Sequence, residues 1–298
     1  MEMNNKKILI IDGTYLAYRS YYATAYGPNP NILQTTSGIQ TNAIVGFFNT
    51  VNLLIKNYSP THIYFAFDSK IKTFRHNIYT EYKAGRQKAP VEFYMQLDKI
   101  QQLLSALNIQ NQYCDGYEAD DIIAKAVNNF KGSSILIFSG DQDLNQLIDE
   151  NIAILKKIKG EMVILNRHNF QKYYDFLPSQ VIDYKAMVGD ASDNFKGILG
   201  IGNKSAIALL NQYQSLENIY NNINEIKPSL AKKLIEHKED AMRDKFMATL
   251  CSDFELCLPN IDSLAITKIE LSEAANKILE ELELNSLKRK FRSLSEFN

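Results

Sequence analysis

Nine carboxylates draw attention through their positions: Asp12, Asp68, Glu118, Asp120, Asp121, Asp141, Asp143, Asp190 and Asp193. Asp12 ends the run that begins at Lys7, Asp68 follows His62–Phe67, and Asp141 and Asp143 follow Ser134–Phe138. Glu118, Asp120 and Asp121 open a predicted helix, while Asp190 and Asp193 sit in the stretch Gly189-Asp-Ala-Ser-Asp-Asn194. If these acids converge, they cannot all remain ionised without a counter-charge, so either their pKa values rise or cations neutralise them. A donor set of oxygens, with no histidine or cysteine placed beside it, favours Mg²⁺, with Mn²⁺ as a substitute. Two such ions about 4 Å apart activate a water and stabilise a leaving oxygen in phosphodiester hydrolysis. Glu118 and Asp121 are three apart, as are Asp190 and Asp193, so each pair shares a face if its segment is helical. Asp141 and Asp143 would diverge from one turn toward neighbouring ions. Taken singly, each acid reads equally as a helix cap or a turn residue. Their recurrence behind apolar strands is what points to one site.

The cations are also unevenly placed. Lys70, Lys72, Arg75, Lys83, Arg86 and Lys88 fall within one segment with a single acid, Glu81, and with Phe74, Tyr79 and Tyr82 among them. Such cations neutralise backbone phosphates, and the aromatics could stack an unpaired base at about 1–3 kcal/mol each. The plainer reading is an exposed basic loop. The net charge of −1 averages this strip against the acids and excludes no nucleic-acid partner.

Strands at Lys7–Ile11, His62–Phe67 and Ser134–Phe138 alternate with helical spacing over 42–58, 91–107 and 119–130. That alternation predicts an α/β fold with a mostly parallel central sheet and helices on its faces. In such sheets, sites form beyond the carboxyl ends of the strands, where Asp12, Asp68 and Asp141 fall. A hairpin is predicted over Ile152–Leu165, turning near Lys159-Gly160, and beyond Pro178 the pattern is helical, broken by Gly197–Gly202. The expected division is an α/β core over 1–175 and a helical region over 176–298. Hydrophobic content of 45% and charged content of 22% suit a soluble globular chain with a sizeable core. Cys114, Cys251 and Cys257 form no Cys-x-x-Cys pair, so neither a zinc ribbon nor a disulfide framework is expected, and a reducing, cytoplasmic setting is. The apolar run at Ile8–Ile11 is too short for a signal peptide or a membrane span. His62, His76, His168 and His237 have no ligand-like spacing.

An ordered series of segments resembles the 5′-nuclease domain of bacterial DNA polymerase I and the related flap endonucleases. The series begins with Asp12-Gly-Thr-Tyr-Leu-Ala-Tyr-Arg19, Thr41–Phe47, Phe67-Asp-Ser-Lys-Ile-Lys-Thr-Phe-Arg75 and Tyr82-Lys-Ala-Gly-Arg86. It continues with Gly116-Tyr-Glu-Ala-Asp-Asp121, Gly140-Asp-Gln-Asp-Leu144, Gly189–Asn194 and Gly197-Ile-Leu-Gly-Ile-Gly-Asn-Lys-Ser-Ala206, and closes with Leu284–Phe291. The resemblance implies a PIN-like α/β fold, a helical arch over 70–90 and a helix-hairpin-helix near 197–213. It implies that Asp12, Asp68, Glu118 and Asp120 mainly surround one metal. Asp141, Asp143, Asp190 and Asp193 would mainly hold a second, with Asp121 adding to the acidic centre. Lys83 and Arg86 would steer the scissile phosphate and stabilise its developing charge, and Arg75 would anchor phosphate nearby. Arg19, Lys70, Lys72 and Tyr82 are further expected DNA contacts. Gly200, Gly202, Lys204 and Ser205 would grip duplex DNA, with K⁺ held by backbone carbonyls of the hairpin. The implied partners are DNA with 5′ ends, flaps or RNA–DNA primers, acted on by a monomer. Two departures stand out: Lys196 replaces the usual proline, and Ser139-Gly140 replaces threonine-alanine ahead of the paired aspartates.

Two rival functions share parts of this pattern. A haloacid-dehalogenase-type phosphatase would share Asp12-Gly-Thr14, but it needs an aspartate nucleophile at position 10, which is isoleucine. A non-catalytic DNA-junction binder would use the basic strip and hairpin, yet gives no role to carboxylates that repel phosphate.

Overall fold

The computed structural model describes residues 6–25, 30 and 32–296. The first half runs β1 (Lys7–Asp12), α1 (Gly13–Ala25), α2 (Asn42–Tyr58), β2 (His62–Ala66), α3 (Phe74–Ile78), α4 (Val91–Ala106), β3 (Asn111–Gln112), α5 (Ala119–Asn129) and β4 (Ser134–Phe138). A hairpin of β5 (Ile152–Ile158) and β6 (Glu161–Leu165) follows, then α6 (Phe170–Tyr174) and α7 (Val181–Val188). The remaining helices are α8 (Asn203–Tyr213), α9 (Leu216–Asn221), α10 (Pro228–Glu236), α11 (Lys238–Ala248), α12 (Glu273–Glu281) and α13 (Asn285–Glu296).

The six strands are ordered β3-β2-β1-β4-β5-β6, parallel except where β5 meets β6. Strand parity divides the core, because successive side chains point to opposite faces. Leu9, Ile11, Ile63 and Phe65 join the cluster under α1, α2 and α4, whereas Ile8, Ile10, Tyr64 and Ala66 face α5. Both faces are therefore covered, which is why β1 reads as an unbroken apolar run. Helix α2 buries Ala43, Phe47, Phe48, Val51 and Leu54, a stripe at helical spacing, and stops where Ser59 turns left-handed at φ 45°.

The expected strands, helices and hairpin all form, with ends shifted by a residue. Strand β3 escaped notice because two residues carry no periodicity. The helical region beyond 175 has its own core, built on Met187, Ile198, Ile201, Leu210, Leu216 and Leu234. Helices α12 and α13 do not belong to it. Their Leu279, Leu282, Leu287 and Phe291 pack into the α/β core, with Phe291 edge-on to Phe48 at 5.4 Å.

The arch expected over 70–90 takes the form of a low strap. It holds one five-residue helix, α3, and a run of turns that lies against the Asp190–Asn194 loop. Lys83 N–H donates to the Asp193 carbonyl (3.3 Å), Tyr79 Oη to the Asn194 carbonyl (3.3 Å) and Arg86 Nε to the Ser192 carbonyl (3.1 Å). Lys83 itself takes a left-handed backbone at φ 55°.

Candidate active site

Five of the acids lie at the carboxyl edge of the sheet. Asp12 is the last residue of β1, Asp68 follows β2, Glu118 and Asp120 lead into α5 beyond β3, and Asp141 follows β4. Strand order reverses direction between β1 and β4, and the crevice at that switch is where an open α/β sheet binds ligands. A cleft of about 340 Å³ there is lined by Asp12, Asp68, Glu118, Asp120 and Asp141, with Lys83 and Arg86 on its rim.

Local hydrogen bonds aim these groups. Asp12 Oδ1 accepts from the Tyr15 amide (2.9 Å), and its Oδ2 accepts from Ser139 Oγ (2.8 Å). The same Ser139 hydroxyl accepts from the Asp141 amide (3.1 Å), so the departure from threonine keeps the oxygen that ties β1 to the β4 turn. Gly140 is required beside it, because a Cβ there would sit 2.4 Å from the Tyr15 ring. Asp68 accepts from the Ala119 amide (2.8 Å), while its own amide donates to Thr14 Oγ1 (2.9 Å).

The electrostatics separate the acids into two groups. Burial first, then the Asp68 charge, pushes Asp12 up to about 7. Loss of hydration around the carboxyl, then Glu118, raises Asp68, although the residue keeps an exposed edge. Burial together with Asp141, Asp12 and Asp68 lifts Asp120 well above the carboxylate range. This is negative charge short of a counter-ion.

The second group already has one. Lys185 Nζ, on buried α7, meets both Asp143 carboxylate oxygens (2.6 Å), Asp193 Oδ2 (2.7 Å) and Asp190 Oδ2 (3.0 Å). Burial would raise Asp190, but Lys185 and the Ser192 hydrogen bonds hold it below the usual range. Burial and Asp141 still carry Asp143 to about 7. Glu118 is likewise compensated: burial is outweighed by Lys83 (2.6 Å) and Arg75, and it stays low. Among the described residues no three His, Cys, Asp or Glu side chains form a ready-made cation cage. The all-oxygen donors and the raised Asp12, Asp68 and Asp120 fit a divalent cation, whereas Asp143, Asp190 and Asp193 already share the Lys185 ammonium.

Three expected site residues are corrected. Asp121 is fully buried and turned away from the cleft. It forms a two-pronged pair with Arg75 (2.6 and 2.8 Å) and accepts from the Glu118 and Cys251 amides. Arg75 is 2% exposed and also donates to the Met247 and Thr249 carbonyls, so it anchors the chain after α11, and no phosphate can reach it. Breaking such a buried pair costs about 3–5 kcal/mol, because the surviving charge is left alone. Tyr82 is buried against Phe195 and donates to Glu118, so its ring is closed to an incoming base. The helical-face reading of Asp190 and Asp193 also gives way. These residues lie in a loop closed by paired Asp190–Phe195 backbone bonds, not on a helix.

The other expected contacts are exposed, except for the half-buried Ser205. Arg19 stands on α1, its guanidinium 5.7 Å from the Phe138 ring centre, Lys70 pairs with Asp98, and Lys72 points outward. Gly200 (φ 79°) and Gly202 precede α8, whose first turn carries Lys204 and Ser205. Sequence patterns did not single out Lys185 or Lys156. The Lys156 ammonium, 4% exposed on β5, donates to the Asp141 carbonyl (3.1 Å), and burial lowers it to about 8. A lysine inside an apolar run was the available signal for each.

Comparison with known proteins agrees with this architecture. Residues 7–175 match the family model of the 5′-3′ exonuclease N-terminal resolvase-like domain, and residues 176–289 match that of the 5′-3′ exonuclease C-terminal SAM fold. The chain belongs to the 5′-3′ exonuclease family. It is 38% identical to a 5′-3′ exonuclease of Mycoplasma genitalium, over 96% of this chain and 99% of that protein. It is 37% identical to DNA polymerase I of Bacillus subtilis over 83% of this chain, but spans only 28% of that relative's length. A bacteriophage T5 flap endonuclease, solved in a pseudo-enzyme-product complex with DNA and metal ions, shares the fold. The TM-score is 0.67 at 20% identity, covering 93% of this chain and 100% of the other.

Proposed function

We propose that this chain is a structure-specific 5′ nuclease that hydrolyses DNA phosphodiesters with the help of Mg²⁺ or Mn²⁺. Its substrates would be 5′ ends, flaps and RNA–DNA primers, met in primer removal and repair, with the chain acting as a cytoplasmic monomer. The observation that carries this reading is the cleft at the strand switch, where Asp12, Asp68, Asp120 and Asp141 converge under Lys83 and Arg86. Divalent ions bound there would supply Lewis acidity to the phosphodiester and lower the pKa of the attacking water.

Each residue then has a task. Asp12, Asp68, Glu118 and Asp120 would hold one ion, and Asp141, Asp143, Asp190 and Asp193 the other. Ser139 and Thr14 fix the carboxylates in place. Lys83 and Arg86 leave their carboxylate partners to meet the scissile phosphate and stabilise its growing charge. Arg19, Lys70 and Lys72 guide the 5′ strand through backbone phosphates. The amides at the start of α8, with Gly200, Gly202, Lys204 and Ser205, grip the duplex. K⁺ at the hairpin would compete with Lys233, whose Nζ donates to the Gly200 carbonyl (3.0 Å). The phosphatase reading has no nucleophile, since Ile10 is wholly buried in β1.

The test is a 5′-labelled flap duplex incubated with and without Mg²⁺. Cleavage is expected with Mg²⁺ and none with chelator. Asp68→Asn and Asp141→Asn should each lose more than the roughly 10–100-fold that follows removal of a metal ligand's hydrogen-bond partner, with DNA binding preserved. Wild-type turnover in both variants would remove the metal assignment.

A further inference from the structure

The two halves of the acidic centre are not in the same state. Among the described residues Asp12, Asp68 and Asp120 have no cation in hydrogen-bond or ion-pair contact, the Lys83 charge reaching Asp68 only at longer range, and the Asp141 carbonyl rests on Lys156. Asp143, Asp190 and Asp193 instead close around the Lys185 ammonium, with four N–O separations of 2.6 to 3.0 Å, and the other oxygen of Asp193 holds Arg86 (2.9 Å) at the rim. Lys185 is 7% exposed, and its Nζ also lies 5.4 Å from the centre of the Phe195 ring. A divalent ion using these same carboxylates would stand within a few ångströms of the ammonium. At that range two cations repel strongly in a partly dehydrated site. Ion and ammonium are therefore alternatives.

We propose that Lys185 is a built-in cation that occupies the second metal position of the free enzyme, so that a second ion binds only by displacing it. The inference rests on the nuclease reading of the cleft and deepens it: the free chain takes up one divalent ion tightly. The second arrives with the negative charge of DNA, which offsets the repulsion and offers the displaced ammonium a phosphate. The arrangement keeps the two-ion state, and with it hydrolytic competence, dependent on bound substrate.

Mn²⁺ binding by the full chain without DNA, followed through the electron paramagnetic signal of free Mn²⁺, reads this directly. Wild type should bind one ion tightly and a second at least tenfold more weakly. Lys185→Met, which keeps length and removes charge, should tighten the second ion at least tenfold and leave the first unchanged. Lys185→Arg should bind one ion like wild type, and Asp68→Asn should weaken the first ion alone. Equal affinity for two ions in wild type, or no gain in Lys185→Met, overturns the proposal. If Lys185→Met fails to fold, acetylation of wild type by an N-hydroxysuccinimide ester, mapped by mass spectrometry, decides the matter. Lys185 should be protected without Mn²⁺ and labelled at saturating Mn²⁺; unchanged protection overturns the proposal. Flap cleavage by wild type is scored separately: its absence would sink the nuclease reading, while the ion stoichiometry would still report on Lys185.

Discussion

The same residue type plays opposite parts here, and its neighbours decide which. Asp120 and Asp121 are adjacent in sequence, yet one faces the cleft and the other is sealed against Arg75. The buried acids make a clear pH signature for the metal-free chain. Asp12 and Asp143 titrate near 7 when folded against an ordinary aspartate value of 3.8, so between about 4 and 7 the native state binds more protons than the unfolded. These two groups make stability fall as pH rises through that window, against an opposing contribution from His62 and His76, which burial holds below their ordinary value. Lys156, lowered to about 8, works the other way, adding stability as pH climbs from about 8 toward its ordinary value. Thermal melts in chelator should therefore show a higher Tm at pH 5.5 than at pH 7.5, with saturating Mg²⁺ flattening or reversing the difference. A tenfold change in a carboxylate's proton affinity on folding is worth about 1.4 kcal/mol, enough to be read in such a melt. A metal-free Tm that climbs from pH 5.5 to 7.5 would contradict the raised Asp12 and Asp143.

At the level of elements, loops carry the acidic cluster, and glycines let those loops close. The Asp190–Phe195 loop returns against itself where Gly189 and Gly197 pack back to back. A Cβ on Gly197 would lie 2.4 Å from the Gly189 nitrogen, at a backbone φ of 64°. Lys196 in place of proline costs this turn little, because paired Asp190–Phe195 backbone bonds already hold it. Gly197→Ala should cost at least about 1–2 kcal/mol from its left-handed backbone alone, with the clash added, and should weaken Mn²⁺ binding through Asp190 and Asp193. A variant that melts and binds Mn²⁺ as wild type does would mean the loop has room to shift. The strap over 70–90 makes the complementary point. Its basic residues read from sequence as a DNA-facing strip, yet Arg75 and Tyr82 turn inward, Lys83 and Arg86 pair with carboxylates, and Lys70, Lys72 and Lys88 lie exposed.

Across the whole molecule, the boundary near residue 175 divides sequence patterns more cleanly than it divides packing. Helices α12 and α13 return to the α/β core, so the chain closes on its own first half. Deleting residues 284–298 should remove Leu284, Leu287 and Phe291 from that core at roughly 1.5–3 kcal/mol per large side chain. It should also lower the Tm while leaving the acidic cleft, which these residues do not line, able to bind Mn²⁺. An unchanged Tm would show that the terminal helix only rests on the surface. Among the described residues no helix is long and apolar enough to cross a membrane.

The sequence alone determined the strands, the helices on their faces and the acids at the strand ends. These follow from local periodicity, which one stretch of chain carries by itself. The pairing of charges was decided only in three dimensions. Arg75 finds Asp121 across 46 positions, and Lys185 meets Asp143 across 42. Whether a carboxylate is a metal ligand or a structural partner depends on which charges lie within a few ångströms of it, and separation along the chain does not report that distance.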